Sequence, residues 1–227
     1  MRRVLKLTDN LIEAAVAPPV TVAYAKKHIK ALTGSEDVLV ETWIRAGGAM
    51  FEEATGRQPI TATREVWLDT FPGLGLSGRR QRIELPRPPL QEVLSVKYLD
   101  GDGVLQSFTD YVVVAPSGDY CRPGFVEPSP GASWPGTADR SGAVQIRYKC
   151  GYGDGPEDLP PMVTGIVCFL VSQFDVYRTP VAEPRGILVQ VPFGLQAMLD
   201  GFKYSAFPTD GPLYGEWTAA DQTAGLA

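Results

Sequence analysis

The segment from residue 144 to residue 178 constrains the fold most, because it joins a strand pattern directly to a helix pattern. Val144, Ile146 and Tyr148 alternate with polar residues, and a period of two is typical of a half-buried strand. Closely spaced glycines then end the alternation. The Pro160-Pro161 pair that follows suits the first turn of a helix, where the backbone N–H groups have no partner. The sequence therefore predicts a strand, a loop and a long helix in this order.

The helix predicted from Met162 to Tyr177 has apolar residues around most of its circumference. A single apolar stripe is typical of a helix that packs on one side, whereas this wider distribution indicates packing on several sides. We therefore expect this helix to be the core helix of the molecule. Its apolar positions are Met162, Val163, Ile166, Val167, Phe169, Leu170, Phe174, Val176 and Tyr177.

Two further helices are predicted nearer the N-terminus. Thr21 can cap the first, whose apolar residues recur at helical spacing as far as Leu32. Ser35 can cap the second, and Gly56 is the expected C-terminal stop. Gly47-Gly48 would each cost about 1 kcal/mol relative to alanine in a helix interior, which indicates a close helix crossing there. The two segments together predict an αα-hairpin.

Between these helices and the core helix, the sequence is rich in glycine and proline and contains short β-favouring runs. The Asp100-Gly101-Asp102-Gly103 segment is a strong hairpin-turn signal between two of the runs. After the core helix, apolar residues at helical spacing predict a last amphipathic helix from Pro192 to Lys203. The β-favouring runs span 65–68, 95–99 and 110–114.

The predicted fold class is therefore α+β. We expect a small bundle of about four helices, a β-rich insertion between the second and third helices, and an extended C-terminal arm. The predicted parts are an N-terminal arm at 1–19, the αα-hairpin at 20–59, the β-rich insertion at 60–150, the C-terminal helices at 151–204 and a C-terminal extension at 205–227.

Composition narrows the possible functions. The net charge of -5 and the pI near 5.0 argue against a protein that grips nucleic acid, because such domains carry a basic stripe. The three cysteines lack metal-ligand spacing, which fits a reducing compartment. No apolar run approaches the length of a membrane span, and no signal peptide is recognisable at the N-terminus. We expect no membrane partner.

No motif predicts catalysis or a cofactor. Glycines at 73, 75 and 78 match the dinucleotide fingerprint, but the required strand and helix do not flank them. The single histidine, His28, excludes a two-histidine metal motif. Arg79, Arg80 and Arg82 follow the glycines and are candidates for contact with DNA phosphate or an acidic partner. The alternative for these arginines is a solvated basic loop.

The segment 205–227 is rich in small and polar residues but contains isolated aromatic and leucine side chains. Such a composition is prone to disorder, and segments of this kind often bind by folding onto a partner. The alternative is that these residues pack back on their own domain. The side chains concerned are Phe207, Leu213, Tyr214 and Trp217.

Several short motifs follow one another in order along the chain. They are Val20-Thr21-Val22, Glu53-Ala54-Thr55-Gly56-Arg57, Ile83-Glu84-Leu85-Pro86-Arg87-Pro88-Pro89-Leu90, Val96-Lys97-Tyr98-Leu99-Asp100, Trp134-Pro135, Tyr148-Lys149-Cys150-Gly151-Tyr152-Gly153, Pro160-Pro161, Tyr177-Arg178 and Val191-Pro192-Phe193-Gly194-Leu195. Taken in this order, they resemble the head-tail connector (adaptor) family of long-tailed double-stranded-DNA bacteriophages and gene transfer agents. The resemblance runs from about Val20 to Tyr204, and it is the order of the motifs that is specific. Cys150, where a small residue is expected, and the longer C-terminal extension depart from the family pattern.

The resemblance implies a structural virion protein without enzymatic activity. It implies a ring of copies, usually twelve, that docks beneath the portal protein and meets the next tail or stopper protein. DNA would pass through the channel without specific binding, and the ring would lie in the virion neck after assembly in the host bacterial cytoplasm. The residues expected to contact the portal or a neighbouring subunit are Phe193, Leu195, Leu199, Phe202, Tyr204, Phe207, Leu213, Tyr214 and Trp217.

Two other functions stay open at this point. A tail-completion or stopper protein of the neck would also be non-enzymatic, but it would usually be smaller and more purely β. A cell-wall-acting hydrolase would need clustered polar residues in a cleft, and the sequence supplies no convincing set. The helices on both sides of the β-rich region favour the adaptor.

Overall fold

The computed structural model describes residues 8–29, 36–72, 82–176 and 193–203. These residues form four α-helices and two antiparallel sheets, so the predicted α+β class is confirmed. The strands are β1 Thr8–Glu13, β2 Ala62–Leu68, β3 Ile83–Glu84, β4 Leu90–Leu99, β5 Leu105–Ser107, β6 Tyr111–Val114, β7 Phe125–Pro128 and β8 Val144–Cys150; the helices are α1 Val22–Ile29, α2 Asp37–Thr55, α3 Pro161–Val176 and α4 Phe193–Phe202.

The larger sheet has five strands in the order β1-β2-β8-β4-β5, and the smaller has the order β3-β7-β6. Strand β8 lies at the centre of the larger sheet and pairs antiparallel with both β2 and β4. Val144, Ile146 and Tyr148 are fully buried, and Arg147 between them is exposed. The period of two in the sequence therefore identified the central strand and its inward face.

Strand β1 was not predicted. It pairs with β2 along one edge of the larger sheet, with a register shift between Leu11 and Glu13. Asp9 and Asn10 have low strand propensity, and most of the strand is exposed, so no alternation of apolar and polar residues marks it. Part of the predicted N-terminal arm is thus an edge strand.

The two N-terminal helices are present and pack on each other. Helix α2 ends at Gly56, whose φ of 69° is left-handed and whose N–H donates to the Glu52 carbonyl at 2.9 Å. This confirms the predicted glycine stop. The proposed end of the first helix near Leu32 and the proposed cap Ser35 lie outside the described residues.

The glycine pair in α2 permits close packing on two sides. A Cβ atom on Gly47 would lie 3.4 Å from the Leu170 Cβ of α3, and one on Gly48 would lie 2.9 Å from the Pro19 Cγ. The second distance is shorter than ordinary carbon contact. The predicted close approach at this point of α2 is therefore confirmed.

The described residues bury two apolar clusters, one among the helices and one between the sheets. Strands β2 to β8 follow α2 and precede α3 in the chain. The helical cluster contains Phe51, Val167 and Phe202, and the sheet cluster contains Ile146 and Tyr148 among its fully buried members. Each half of the molecule thus has its own core.

The predicted hairpin turn joins β4 to β5. The Gly103 N–H donates to the Asp100 carbonyl at 2.9 Å, and Gly103 has a φ of 79°. The Asp100 carboxylate accepts hydrogen bonds from the Gln106 side chain and from the backbone of Val104 and Asp102, and these bonds lower its pKa. The carboxylate therefore stabilises the turn.

Of the helices described, none is both long and apolar enough to cross a membrane.

Candidate functional site

A buried arginine joins the helical half of the molecule to the larger sheet. Arg64 lies on β2 and is only 5% exposed. Its guanidinium donates to Asp9 of β1 at 3.0 Å, to the Gln58 Oε1 at 3.0 Å and to Glu52 of α2. Burial would lower the pKa of Arg64, but the attraction of Asp9 and Glu52 outweighs it, so the pKa is raised. This arginine therefore stays charged and links three elements.

A second arginine completes the network from the loop before β4. Arg87 has a φ of 60°, in the left-handed region, and it precedes Pro88-Pro89. Its Nε donates to Asp9 at 3.3 Å, and its Nη1 donates to the Glu52 carbonyl at 2.8 Å. The Tyr148 hydroxyl donates to the Pro86 carbonyl of the same loop at 3.1 Å, and burial raises the pKa of this hydroxyl well above its usual range. The proline-rich motif thus has a structural role at the junction of the two halves.

The two carboxylates of the junction network are each shared between the two arginines. Asp9 and Glu52 each lie within 4 Å of both Arg64 and Arg87. The two carboxylates and the two guanidinium groups therefore form one network of charge-assisted hydrogen bonds. Among the residues described, no group of three or more histidine, cysteine or acidic side chains is placed to hold a metal ion.

Helix α4 packs into the core of its own chain. Leu195, Leu199 and Phe202 are 3%, 7% and 1% exposed, and the Phe202 ring meets the Phe51 ring edge-on at 5.9 Å between centroids. These three side chains were predicted to contact the portal or a neighbouring subunit. In this structure they bury apolar surface against the other helices of the same chain, as expected for an amphipathic helix. Their contact with the portal or a neighbouring subunit stays a prediction.

The rest of that predicted set lies largely beyond the described residues. Phe193 is the first residue of α4. The others that fall outside the described part of the chain are Tyr204, Phe207, Leu213, Tyr214 and Trp217.

The C-terminal end of α4 is held by Arg57, which directly follows the glycine stop of α2. The Arg57 Nε donates to the Phe202 carbonyl at 2.7 Å. A cation at a helix C-terminus interacts favourably with the unpaired carbonyl groups there. Tyr120 also contacts this end, with 4.6 Å between its ring centroid and that of Phe202.

A cleft opens beside the end of α4, between that helix and the smaller sheet. It has a volume of about 480 Å³, which is in the range of small-molecule sites. Four of its lining residues are cationic and one is acidic. The lining residues are Arg57, Arg82, Glu84, Pro116, Tyr120, Cys121, Arg122, Pro123, Phe125, Gly201 and Lys203.

The structure brings one arginine of the predicted basic loop into this cleft. Arg82 pairs with Glu84 at 2.5 Å, and its guanidinium carbon lies 4.9 Å above the Phe125 ring. Arg79 and Arg80 lie outside the described residues. Sequence reasoning missed Arg57 and the remaining cations of the cleft, because they are distant in sequence and only the fold places them together.

The cysteines are all free and buried. Burial raises the pKa of Cys150 to about 12, and burial also raises the pKa of Cys121 and of Cys168. Only thiolates are effective nucleophiles, so a raised pKa makes these thiols unreactive at neutral pH. None of them has the environment of a catalytic cysteine.

No protein-family model matches the sequence, and no curated protein matches it. Solved structures do share its α+β fold. A chain from the neck of an empty gene transfer agent particle, computed with C6 symmetry, superimposes with a TM-score of 0.69 at 22% identity, covering 90% of this chain and 100% of that chain.

Two more structures of the same kind of particle agree. A chain of the virion of a native gene transfer agent particle has a TM-score of 0.69 at 22% identity, covering 90% of this chain and 98% of that one. A chain from the neck of a native particle, computed with C12 symmetry, has a TM-score of 0.63 at 21% identity, covering 89% and 100%. The fold of this protein is thus similar to that of chains in gene transfer agent particles, two of them from the neck.

Proposed function

We propose that this protein is a head-tail adaptor: a ring-forming structural protein beneath the portal that joins the capsid to the tail. One observation carries the proposal, namely that a neck chain of a gene transfer agent particle matches the fold over 90% of this chain and over its own full length. The ordered motifs in the sequence that resemble the adaptor family support it independently. On this proposal the protein acts in the virion neck.

A ring needs contact surfaces between its copies. All four helices carry exposed large apolar side chains, including Tyr24 on α1, Val38 on α2, Val176 on α3 and Met198 on α4. Exposed apolar groups of this kind are typical of subunit interfaces when they cluster. The C6 and C12 symmetries of the neck structures with the same fold support a ring of twelve copies.

The proposed ring lines a DNA channel without binding DNA tightly. A protein that neutralises many phosphates gains affinity with each contact, which would slow the passage of DNA. The net charge of -5 supports a weak interaction. The proposed partners are the portal, the next tail or stopper protein and the passing DNA. The proposed region of contact with the portal or a neighbouring subunit is α4 together with the segment after Ser205.

An adaptor is favoured over a stopper, the alternative protein of the neck, by the helices. In the described part of the chain, four helices with a core of their own accompany the two sheets, whereas a stopper is expected to be smaller and more purely β. An enzymatic role is disfavoured because the carboxylates of the junction network are held by arginines and the thiols of the described residues are buried.

Electron cryomicroscopy of a reconstituted neck tests the proposal. The purified chain would be mixed with the portal protein of the same particle, and the complex imaged with and without the next tail protein. We expect a ring of this chain on the tail-facing side of the portal. Density on the far side of the neck, in contact with the tail protein alone, would support the stopper instead.

A further inference from the structure

Arg57 at the end of α4 is a buried cation without a carboxylate partner in the described part of the chain. It is 4% exposed. The Phe202 carbonyl accepts a hydrogen bond from its Nε, its Nη1 lies 4.0 Å from the Cys121 sulfur, and the Tyr152 hydroxyl is a further hydrogen-bond neighbour; none of these groups is an anion. A carbonyl group supplies a partial charge only, and a buried cation is costly unless an anion compensates it. The guanidinium has further donors for such an anion.

The other cations of the cleft give it an excess of positive charge. Arg82 is paired with Glu84, but for Arg122 and Lys203 no carboxylate lies within ion-pair distance among the described residues. Apolar and aromatic side chains, including Tyr120 and Phe125, form the rest of the lining. The cleft therefore suits an occupant that is acidic and also carries aromatic groups.

The remainder of this chain has that chemistry and begins at the cleft. Lys203 lines the cleft, and the segment 204–227 follows it directly. The segment contains carboxylates and aromatic rings and no lysine, arginine or histidine. Its first carboxylate, Asp210, can lie up to roughly 25 Å along the chain from Lys203, which is enough to return to Arg57. The carboxylates are Asp210, Glu216 and Asp221, and the rings are those of Tyr204, Phe207, Tyr214 and Trp217.

We propose that, in the unassembled protein, the cleft beside α4 binds the acidic, aromatic segment 204–227 of the same chain. The direct connection through Lys203 gives the segment a high effective concentration at its own cleft, on the order of millimolar for a short linker. A DNA occupant is disfavoured, because Arg57 is too deeply buried to reach a duplex backbone and the overall charge is negative.

Paramagnetic relaxation enhancement on the full chain tests this proposal. A nitroxide would be attached at Thr218→Cys, since the native cysteines are buried. The backbone amide signals of Tyr120, Arg122 and Lys203 are then compared with the label oxidised and reduced. We expect strong broadening of these three signals that does not change on dilution. Unchanged signals at the cleft would overturn the proposal.

A mixed sample shows whether the segment binds the cleft of its own chain or the cleft of a second copy. A spin-labelled chain without isotope is combined with an isotope-labelled chain without the nitroxide. We expect no broadening in the isotope-labelled chain. Broadening that appears only between chains would show that a neighbouring copy supplies the segment and would overturn the proposal as stated.

Charge variants establish whether electrostatic attraction holds the segment. In the spin-labelled chain, Arg122→Gln with Lys203→Gln should reduce the broadening at Tyr120 at least threefold. Lys27→Gln with Arg140→Gln, two exposed cations outside the cleft, should leave it unchanged. Equal effects of both pairs would contradict the charge argument.

Displacement of the segment by a short DNA duplex at equimolar concentration would favour nucleic acid as the occupant and would also overturn the proposal.

Discussion

At the scale of single residues, the stability of the molecule depends on a few buried polar groups rather than on many surface pairs. Arg64 connects β1, β2 and α2 through its guanidinium. Ion pairs between exposed side chains, such as Arg45 with Glu41 on α2, are weak because water screens them. The pairs of the buried Arg64 are screened less, and its loss would leave Asp9 and Glu52 with Arg87 as their remaining cation in this network.

Replacement of Arg64 tests this difference. Arg64→Met should lower the free energy of unfolding by about 3 kcal/mol, because breaking a buried pair leaves an uncompensated charge. Arg45→Met is the matched control, and it should cost less than about 0.5 kcal/mol. Urea unfolding followed by circular dichroism measures both values. Equal effects of the two substitutions would show that the network adds little to stability.

Cys150 predicts a dependence of stability on alkaline pH. Burial raises its pKa from 9.0 to about 12, so above pH 9 the unfolded chain loses this proton while the folded chain keeps it. The corresponding stability is fully present below pH 9 and is lost as the pH rises towards 12. Relative to Cys150→Ala, the wild-type free energy of unfolding should fall more steeply above pH 9, by about 1.4 kcal/mol per unit.

Urea unfolding of both proteins at intervals from pH 8 to pH 10.5 measures the two slopes. The comparison with the variant is needed because buried tyrosines such as Tyr148, whose pKa is also raised, contribute to both slopes equally. Parallel slopes for the two proteins would mean that Cys150 ionises at its ordinary pKa in the folded state.

At the scale of elements, the helices pack through positions where side chains are small. A methyl group on Gly48 would lie 2.9 Å from the Pro19 ring, whereas one on Gly165 of α3 would meet no atom within 4 Å. Both glycines lie inside helices, so alanine improves helix propensity equally at the two sites. The difference between the two substitutions therefore isolates the contact with Pro19.

We expect opposite signs for these two substitutions. Gly165→Ala should raise the free energy of unfolding by up to about 1 kcal/mol through helix propensity. Gly48→Ala should lower it by about 1–2 kcal/mol, because the rigid proline ring must move. Thermal unfolding of the two variants and the wild type measures the shifts. Stabilisation by both alanines would show that Pro19 yields easily.

Two substitutions in α4 test whether the apolar face of this helix stabilises the fold of its own chain. Phe202 is 1% exposed and Met198 is 44% exposed. Phe202→Ala should destabilise the isolated protein by about 3–5 kcal/mol, as expected for a core phenylalanine, and Met198→Ala should have an effect below about 0.5 kcal/mol. Unfolding at low protein concentration makes the measurement independent of assembly. A small effect of Phe202→Ala would contradict a role for this side chain in the core of its own chain.

The sequence predicted those elements whose signals are local. The alternation of Val144, Ile146 and Tyr148 identified the central strand, and Gly56 identified the end of α2. Strand β1 escaped prediction because its stability comes from pairing with β2 and from the Asp9 ion pairs, both of which are distant in sequence. The cleft was not predicted for the same reason, because Arg57, Arg122 and Lys203 are distant in sequence and line one cleft only in the folded chain.

At the scale of the whole molecule, two halves with separate cores are joined by buried polar contacts. The arginines at the junction hold the helical half against the larger sheet, while exposed apolar side chains remain on every helix. A rigid subunit with apolar helix surfaces is suited to a closed ring, because a ring closes only if each copy keeps the same shape. The proposed adaptor role requires such a subunit, and chains of gene transfer agent necks share its fold.

Native mass spectrometry tests the adaptor role most directly. The purified chain would be measured alone and after mixing with the portal protein from the same particle. We expect a complex that contains this chain and the portal in equal copy number, in agreement with the C12 symmetry of a neck with the same fold. A chain that stays a monomer in the presence of its portal and of the next tail protein would contradict the adaptor function.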